Sequence, residues 1–223
     1  MLPCKIMEHG CMKIMQWEDI IDSGDYSRTD AYARCHEDIE YGVRSTVWPE
    51  GSDRFTIVPE SGKKRGEGNG VKPIKNGFTN ALLERGWELE VGRRSGRGGK
   101  GTLPGAFDCH LDLRGEGYDS LPFVVEWETG NISSSHRAIN RIALGILEQR
   151  IAGGVVLLPS SNLAPYLTDR IGNFLELKPY LPLWRKWDNL TPTGYLGLVV
   201  VEQDAESFDV PRVPKGTDGR SAN

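Results

Sequence analysis

Phe123-Val-Val-Glu126-Trp-Glu128-Thr-Gly-Asn131-Ile-Ser-Ser-Ser-His-Arg137-Ala-Ile-Asn-Arg-Ile-Ala-Leu-Gly-Ile-Leu147 carries two periodicities back to back. Phe123 to Glu128 is rich in Val, Phe and Trp, the residues that favour a pleated, buried surface, and reads as a strand. From Ser133 to Arg150, Ile139, Ile142, Ala143, Ile146 and Leu147 recur at i, i+3, i+4, i+7 and i+8, the apolar stripe of an amphipathic helix. The polar turn Thr129 to Ser133 joins them. Farther on, Gly154 to Leu158 and Tyr195 to Glu202 are Val- and Leu-rich, as buried strands are. Strands alternating with helices predict an α/β fold, a central mixed β-sheet flanked by helices.

Working outward, Ala106 to Leu113 predicts a strand that pairs with Phe123 to Glu128 as a hairpin across Gly115-Glu116-Gly117. Upstream, Tyr32, Cys35, Ile39 and Val43 predict a helix over Ser27 to Val43. Arg54 to Val58 reads as a short strand, Ser61 to Gly70 as a loop, and Lys75 to Arg85 as a short helix stopped by Gly86. Leu163 to Leu177 is helical in pattern with a break near Gly172. We expect one domain over residues 1–223, with 1–45 as an N-terminal segment of unassigned relationship and 209–223 as an irregular, Pro- and Gly-rich C-terminal arm.

A chain of 223 residues, 38% hydrophobic and 26% charged, is long enough to bury a sizeable core. No run approaches the roughly 20 apolar residues of a bilayer span, and the N-terminus lacks the pattern of an export signal. Cys4, Cys11, Cys35 and Cys109 are few and scattered, so reduced thiols in a cytoplasmic protein are expected. A net charge of −4 argues against a protein that coats nucleic acid non-specifically. The distribution is uneven, however. Ten basic against four acidic residues leave Ser61 to Lys100 at +6, and the remainder of the chain therefore at −10. Such a strip suits phosphate contact, or equally a solvated loop region. Within it, Gly92 to Thr102 resembles a phosphate loop but fails the pattern, with Arg94 where the first Gly belongs and Gly101 where Ser or Thr belongs.

Alternation places Glu126 and Glu128 on one side of their strand, roughly 7 Å apart at Cα. The hairpin would set Asp108 across from them, with His110 and Asp112 on the same face. Desolvating an unpaired carboxylate costs several kcal/mol, so acids on a buried strand need compensation. Clustered carboxylate oxygens without a Cys or His set suit a hard cation such as Mg²⁺. An exposed hairpin face neutralised by Lys or Arg accounts for the same pattern. The turn after the strand then supplies amide, hydroxyl and guanidinium groups at a helix N-terminus, the groups that bind phosphate or read base edges.

At this point the residues resemble the BamHI group of type II restriction endonucleases. The resemblance rests on Glu126-Trp-Glu-Thr-Gly-Asn-Ile-Ser-Ser-Ser-His-Arg137, Tyr166-Leu-Thr-Asp-Arg170 with Asn173-Phe174, and Pro214-Lys-Gly-Thr-Asp-Gly219. Val71-Lys-Pro-Ile-Lys75 and Val47-Trp48-Pro49 match more loosely, and the first forty-odd residues match nothing. The resemblance implies that Asp108 and Glu126 bridge catalytic metals, with Glu90 helping to hold the second of two Mg²⁺ ions. Glu128, where many nucleases carry lysine, would be the general base or the orienter of the attacking water. Phe107-Asp108 departs from the Pro-Asp of the wider superfamily. Lys75, Asn131, Ser133, Arg137, Asp169 and Arg170 would contact double-stranded DNA, and Asp218-Gly219 on the C-terminal arm would reach the minor groove. A homodimer joined by helices, acting at a palindrome such as GGATCC and paired in function with a DNA methyltransferase of the same specificity, is also implied. A related nuclease reading another GATC-core site, a sequence-specific DNA-binding protein without cleavage, and a carbohydrate hydrolase using Glu126 and Glu128 are the alternatives.

Overall fold

The computed structural model describes residues 11–63, 67–89, 106–168 and 171–215. Six strands form one mixed sheet: β1 (Lys13–Ser23), β3 (Glu88–Leu89), β4 (Cys109–Leu111), β5 (Phe123–Trp127), β6 (Gly153–Pro159) and β7 (Gly194–Glu202), in the order β1-β7-β6-β5-β4-β3. The central strands β5, β6 and β7 run parallel, and β1, β4 and β3 add antiparallel edges. The short strands β2 (Thr56–Ile57) and β8 (Ala205–Glu206) pair with each other in parallel.

Alternation along β5 decides what each face buries. Phe123, Val125 and Trp127 face helices α1 (Asp30–Arg44) and α2 (Lys72–Glu84), joining Cys35, Ile39, Phe78 and Leu82 in one core. Val124 faces helix α3 (Ile132–Leu147), where Ile139, Ile142 and Ile146 meet Val156, Leu198 and Val200 in the second. The short helices α4 (Phe174–Leu177) and α5 (Leu181–Trp184) close that side. The mixed sheet with helices on both faces is the expected architecture.

The β4–β5 hairpin forms as expected, and its register sets Cys109 opposite Val125 and His110 opposite Val124. Its turn uses Gly117 at φ 92°, a conformation that costs glycine nothing. The local expectations shift at their ends. The first helix starts at Asp30 rather than Ser27, because Thr29 caps it by accepting from the Tyr32 amide. The helix expected from Lys75 begins at Lys72, since Pro73 belongs to its first turn, where no N–H is needed. The helical pattern from Leu163 to Leu177 resolves into a 3-10 turn at Ala164–Tyr166 and the four-residue α4. The N-terminal segment also holds an element that its residue pattern does not announce, an eleven-residue strand paired along β7. Cys11, Cys35 and Cys109 are free thiols, as expected, and burial pushes Cys109 up to about 12. No helix among the described residues is long and apolar enough to cross a membrane.

Candidate active site

Strand β5 is buried along its whole length, yet it carries Glu126 inside it, 4% exposed. A carboxylate there needs a counter-charge, and Arg141 supplies it from the middle of α3. The guanidinium also lies over the Phe107 ring, 4.7 Å from its centre. Asp108 stands one step before the Cys109–Val125 pair, and so across from Glu126. One of its oxygens accepts from the Trp127 amide at 2.9 Å, and the other from Lys75 Nζ of α2 at 2.5 Å. Glu128 continues β5 beyond its last residue, with its amide donating to Leu157 O at 2.8 Å. Burial, with help from the Asp108 charge, pushes the Glu128 carboxyl up to about 7 against the pull of Arg137, Lys75 and the Gly130 amide.

Three carboxylates expected from the sequence thus meet at one end of the hairpin, and each has a cation beside it. Lys75, expected to contact DNA, sits on Asp108. Arg141 was not singled out in the sequence. Its signal was there, four residues after Arg137 and flanked by Ile139 and Ile142, but a lone charge beside an apolar stripe is also common on solvated faces. Among the described residues, no three acids, histidines or cysteines stand as a ready-made metal cage. The donor set still fits a hard divalent cation. Asp108 and Glu126 stand across from each other with oxygen ligands alone, Glu126 is buried, and both are charge-compensated by side chains that a cation can replace.

The polar turn lies beside these acids. Asn131 caps α3, its side chain accepting from the Ser134 amide at 3.2 Å. Asn131, Ser133 and Arg137 are exposed on the first turns of the helix, and Arg137 Nη2 donates to Ser134 Oγ at 3.4 Å. The Gly172 amide donates to Gly130 O at 2.9 Å, which stitches the segment after Arg170 to this turn. Asn131 and Ser133 thereby line an open groove with Lys63, Leu167 and Asn173. His136 has a packing role, edge-on to Tyr180 at 4.6 Å and against Trp184 at 5.1 Å. Glu90, Asp169, Arg170, Asp218 and Gly219, and the basic run Gly92 to Thr102, lie outside the described residues.

Acids on a buried hairpin beside a polar helix start fit metal-assisted hydrolysis of an anionic substrate, and a comparison with known families decides which. Residues 12–220 match the family model described as restriction endonuclease BamHI. The chain belongs to the BamHI restriction endonuclease family. It is therefore a type II restriction endonuclease, a site-specific deoxyribonuclease. It is 41% identical over 211 residues to the type II restriction enzyme OkrAI of Oceanobacter kriegii, covering 94% of this chain and 99% of that one. It is 32% identical over 202 residues to the type II restriction enzyme BamHI of Bacillus amyloliquefaciens, covering 87% and 86%. The fold is similar to the crystal structure of restriction endonuclease BglII complexed with a DNA 16-mer, with a TM-score of 0.58 at 13% identity over 86% of this chain and 79% of that one. The family match begins at residue 12, so residues 12–45 of the N-terminal segment, which resembled nothing when read alone, belong to the family match as well.

Within this BamHI-family site, Glu128 gives a pH signature. A carboxyl raised to about 7 is charged above that pH and neutral below it. Metal-free enzyme is therefore expected to bind DNA more tightly as the pH falls from about 8 to about 6. The gain should be about fivefold, equivalent to the ~1 kcal/mol between unit charges about 4 Å apart in water. Fluorescence anisotropy with a labelled duplex measures it, and Glu128→Gln should remove the step. A step of the same size in that variant assigns the effect to another group.

Proposed function

We propose that this endonuclease cuts both strands of GGATCC after the first G, leaving four-base 5′ overhangs, with Mg²⁺ as cofactor and two ions per active site. The observation that carries this reading is the meeting of Asp108, Glu126 and Glu128 directly beside the N-terminus of α3, which presents Asn131, Ser133 and Arg137. Asp108 and Glu126 would hold the metal, joined by Glu90. When bound, it supplies Lewis acidity toward the scissile phosphate. Glu128 orients the attacking water and takes its proton, a role suited to a carboxyl that titrates near neutrality. Lys75 neutralises charge at the phosphate.

Site choice follows from side-chain chemistry. Arg137 and Arg170 suit guanine O6 and N7, Asn131 pairs with adenine N6 and N7, and Asp169 accepts from cytosine N4. Ser133 supports this set, and the arm at Asp218-Gly219 reaches the minor groove. A palindrome calls for a symmetric pair of subunits, so we propose a homodimer on double-stranded DNA. Most of the apolar stripe from Ile139 to Leu147 is not free for that interface, because Ile139, Ile142 and Ile146 are buried in the core. Leu144, Leu147, Leu175, Tyr180 and Leu183, between 40% and 59% exposed on α3 and the short helices beside it, are apolar groups available for it. Functional pairing with a DNA methyltransferase of the same specificity, without a stable complex, completes the proposal.

A plasmid digest with Mg²⁺, with EDTA as control, tests this directly. We expect discrete fragments whose mapped ends carry GATC overhangs within GGATCC, and none with EDTA. Ends at AGATCT or at RGATCY would replace the site, and a gel shift in Ca²⁺ without cutting in Mg²⁺ would leave only a binder. Light scattering at micromolar concentration checks the dimer, which a monomer persisting on DNA would reject.

A further inference from the structure

Asn69 is a polar side chain with no exposed surface. Its amide Nδ2 donates to Val58 O at 2.8 Å and to Tyr166 O at 3.0 Å, and its Oδ1 accepts from the Val213 amide at 3.3 Å. Two carbonyls and one N–H around it fix which way the amide points. Its backbone joins the same seam, donating to Tyr166 O and accepting from the Thr168 amide, both at 2.8 Å. One residue thus ties together three stretches of chain distant in sequence.

The seam is built backbone against backbone. The Gly70 amide donates to Val213 O at 2.8 Å, the Gly62 amide to Pro165 O at 2.9 Å, and Lys215 Nζ to Glu67 O at 2.9 Å. A Cβ on Gly70 would collide with Pro214 O, and one on Gly62 with Leu167 O, so neither position admits a side chain without moving the main chain. What leaves the seam leads to the residues of the proposed DNA site. Asp169-Arg170 follow Thr168 directly in sequence, Asp218-Gly219 follow Lys215 by three residues, and α2 begins at Lys72 and carries Lys75 to Asp108.

We infer that Asn69 is a specificity-positioning residue, locking the stems of the two DNA-reading segments to the helix that supplies Lys75 to the catalytic carboxylates. The inference rests on the reading that Asp169-Arg170 and Asp218-Gly219 contact DNA. No other side chain of this length offers two donors and an acceptor at once, and a buried amide partner left unmade costs about 1–3 kcal/mol. Loss of the clamp loosens the stems before it removes any catalytic group. Correct and incorrect base pairs then become harder to tell apart, because a bidentate base contact worth about 1–3 kcal/mol depends on fixed geometry.

The test uses the full chain and the site that the wild-type enzyme itself maps. Single-turnover cleavage, with enzyme in excess, is measured on a duplex bearing that site and on duplexes altered by one base pair. Asn69→Ala removes the clamp, and Asn69→Asp, nearly isosteric, keeps the acceptor but turns both donors into a carboxylate facing carbonyls. We expect the ratio of cognate to altered-site rates to fall by about tenfold or more in both, while the cognate rate falls less. A purely structural role lowers both rates together, so an unchanged ratio in Asn69→Asp overturns the inference whatever happens to Tm. The wild-type map reports separately on GGATCC, and a different site there leaves the Asn69 ratio readable.

Discussion

Glu126→Gln is expected to slow DNA cleavage by about a thousandfold while leaving DNA affinity within roughly a few-fold of the parent. Glu126 is buried inside β5 across from Asp108, so its carboxylate can serve a metal or Arg141 but has almost no access to solvent. Glutamine keeps the shape and leaves Arg141 an acceptor oxygen. It supplies no negative charge, and a neutral amide is a much weaker ligand for Mg²⁺ than a carboxylate. Losing metal assistance removes several kcal/mol of charge stabilisation in the transition state, and ~4 kcal/mol is about a thousandfold in rate. Binding goes the other way or stays level, because one fewer anion repels the phosphates. Single-turnover cleavage in Mg²⁺ and gel shift in Ca²⁺ separate the two effects. Loss of binding together with cleavage in a folded variant would falsify the assignment of Glu126 to the metal.

Arg141→Met is expected to lower Tm steeply in the absence of divalent ions and to recover much of the loss when they are added. The Arg141 and Glu126 side chains are 14% and 5% exposed, so removing the guanidinium leaves a buried carboxylate without its partner. Breaking such a pair costs about 3–5 kcal/mol. For a chain of this size that amounts to a Tm loss on the order of 10 °C. Methionine still packs on the Phe107 ring, so the loss reports mainly on charge. A divalent cation on Glu126 and Asp108 replaces the missing positive charge, and a ligand that binds only the folded state raises its stability. Calorimetry with EDTA and with added Mg²⁺ or Mn²⁺ makes the comparison. Equal Tm losses in both conditions would mean that metal and Arg141 do not share Glu126.

The hairpin and α3 were legible because their signals are local. The Val-, Phe- and Trp-rich run at Phe123 to Trp127 and the 3.6-residue stripe from Ile139 to Leu147 each sit within one element. Strand β1 was not legible for the opposite reason. Lys13, Glu18, Asp19 and Asp22 interrupt its apolar pattern, and the groups that accommodate the first three come from far along the chain, while Asp22 is bound locally by Ser27. Glu18 pairs with Arg185, Asp19 accepts from the Tyr195 hydroxyl, and Lys13 lies 3.5 Å from Asp204. A strand whose acids are satisfied by distant partners looks like a solvated segment when read alone.

The same division runs through the site. The sequence by itself determined the α/β class, the β4–β5 hairpin that sets Asp108 across from the Glu126 and Glu128 pair, and the polar helix start that carries Asn131, Ser133 and Arg137. Each follows from residue spacing within a few tens of residues, where periodicity and turn chemistry leave few choices. Only the tertiary structure decided that Lys75 sits on Asp108, that Arg141 neutralises Glu126, and that Asn69 clamps three separate stretches of backbone. A buried charge or amide takes whichever partner the packing brings within hydrogen-bond reach, and that partner is fixed by how helices cross the sheet, not by any pattern in the residues beside it.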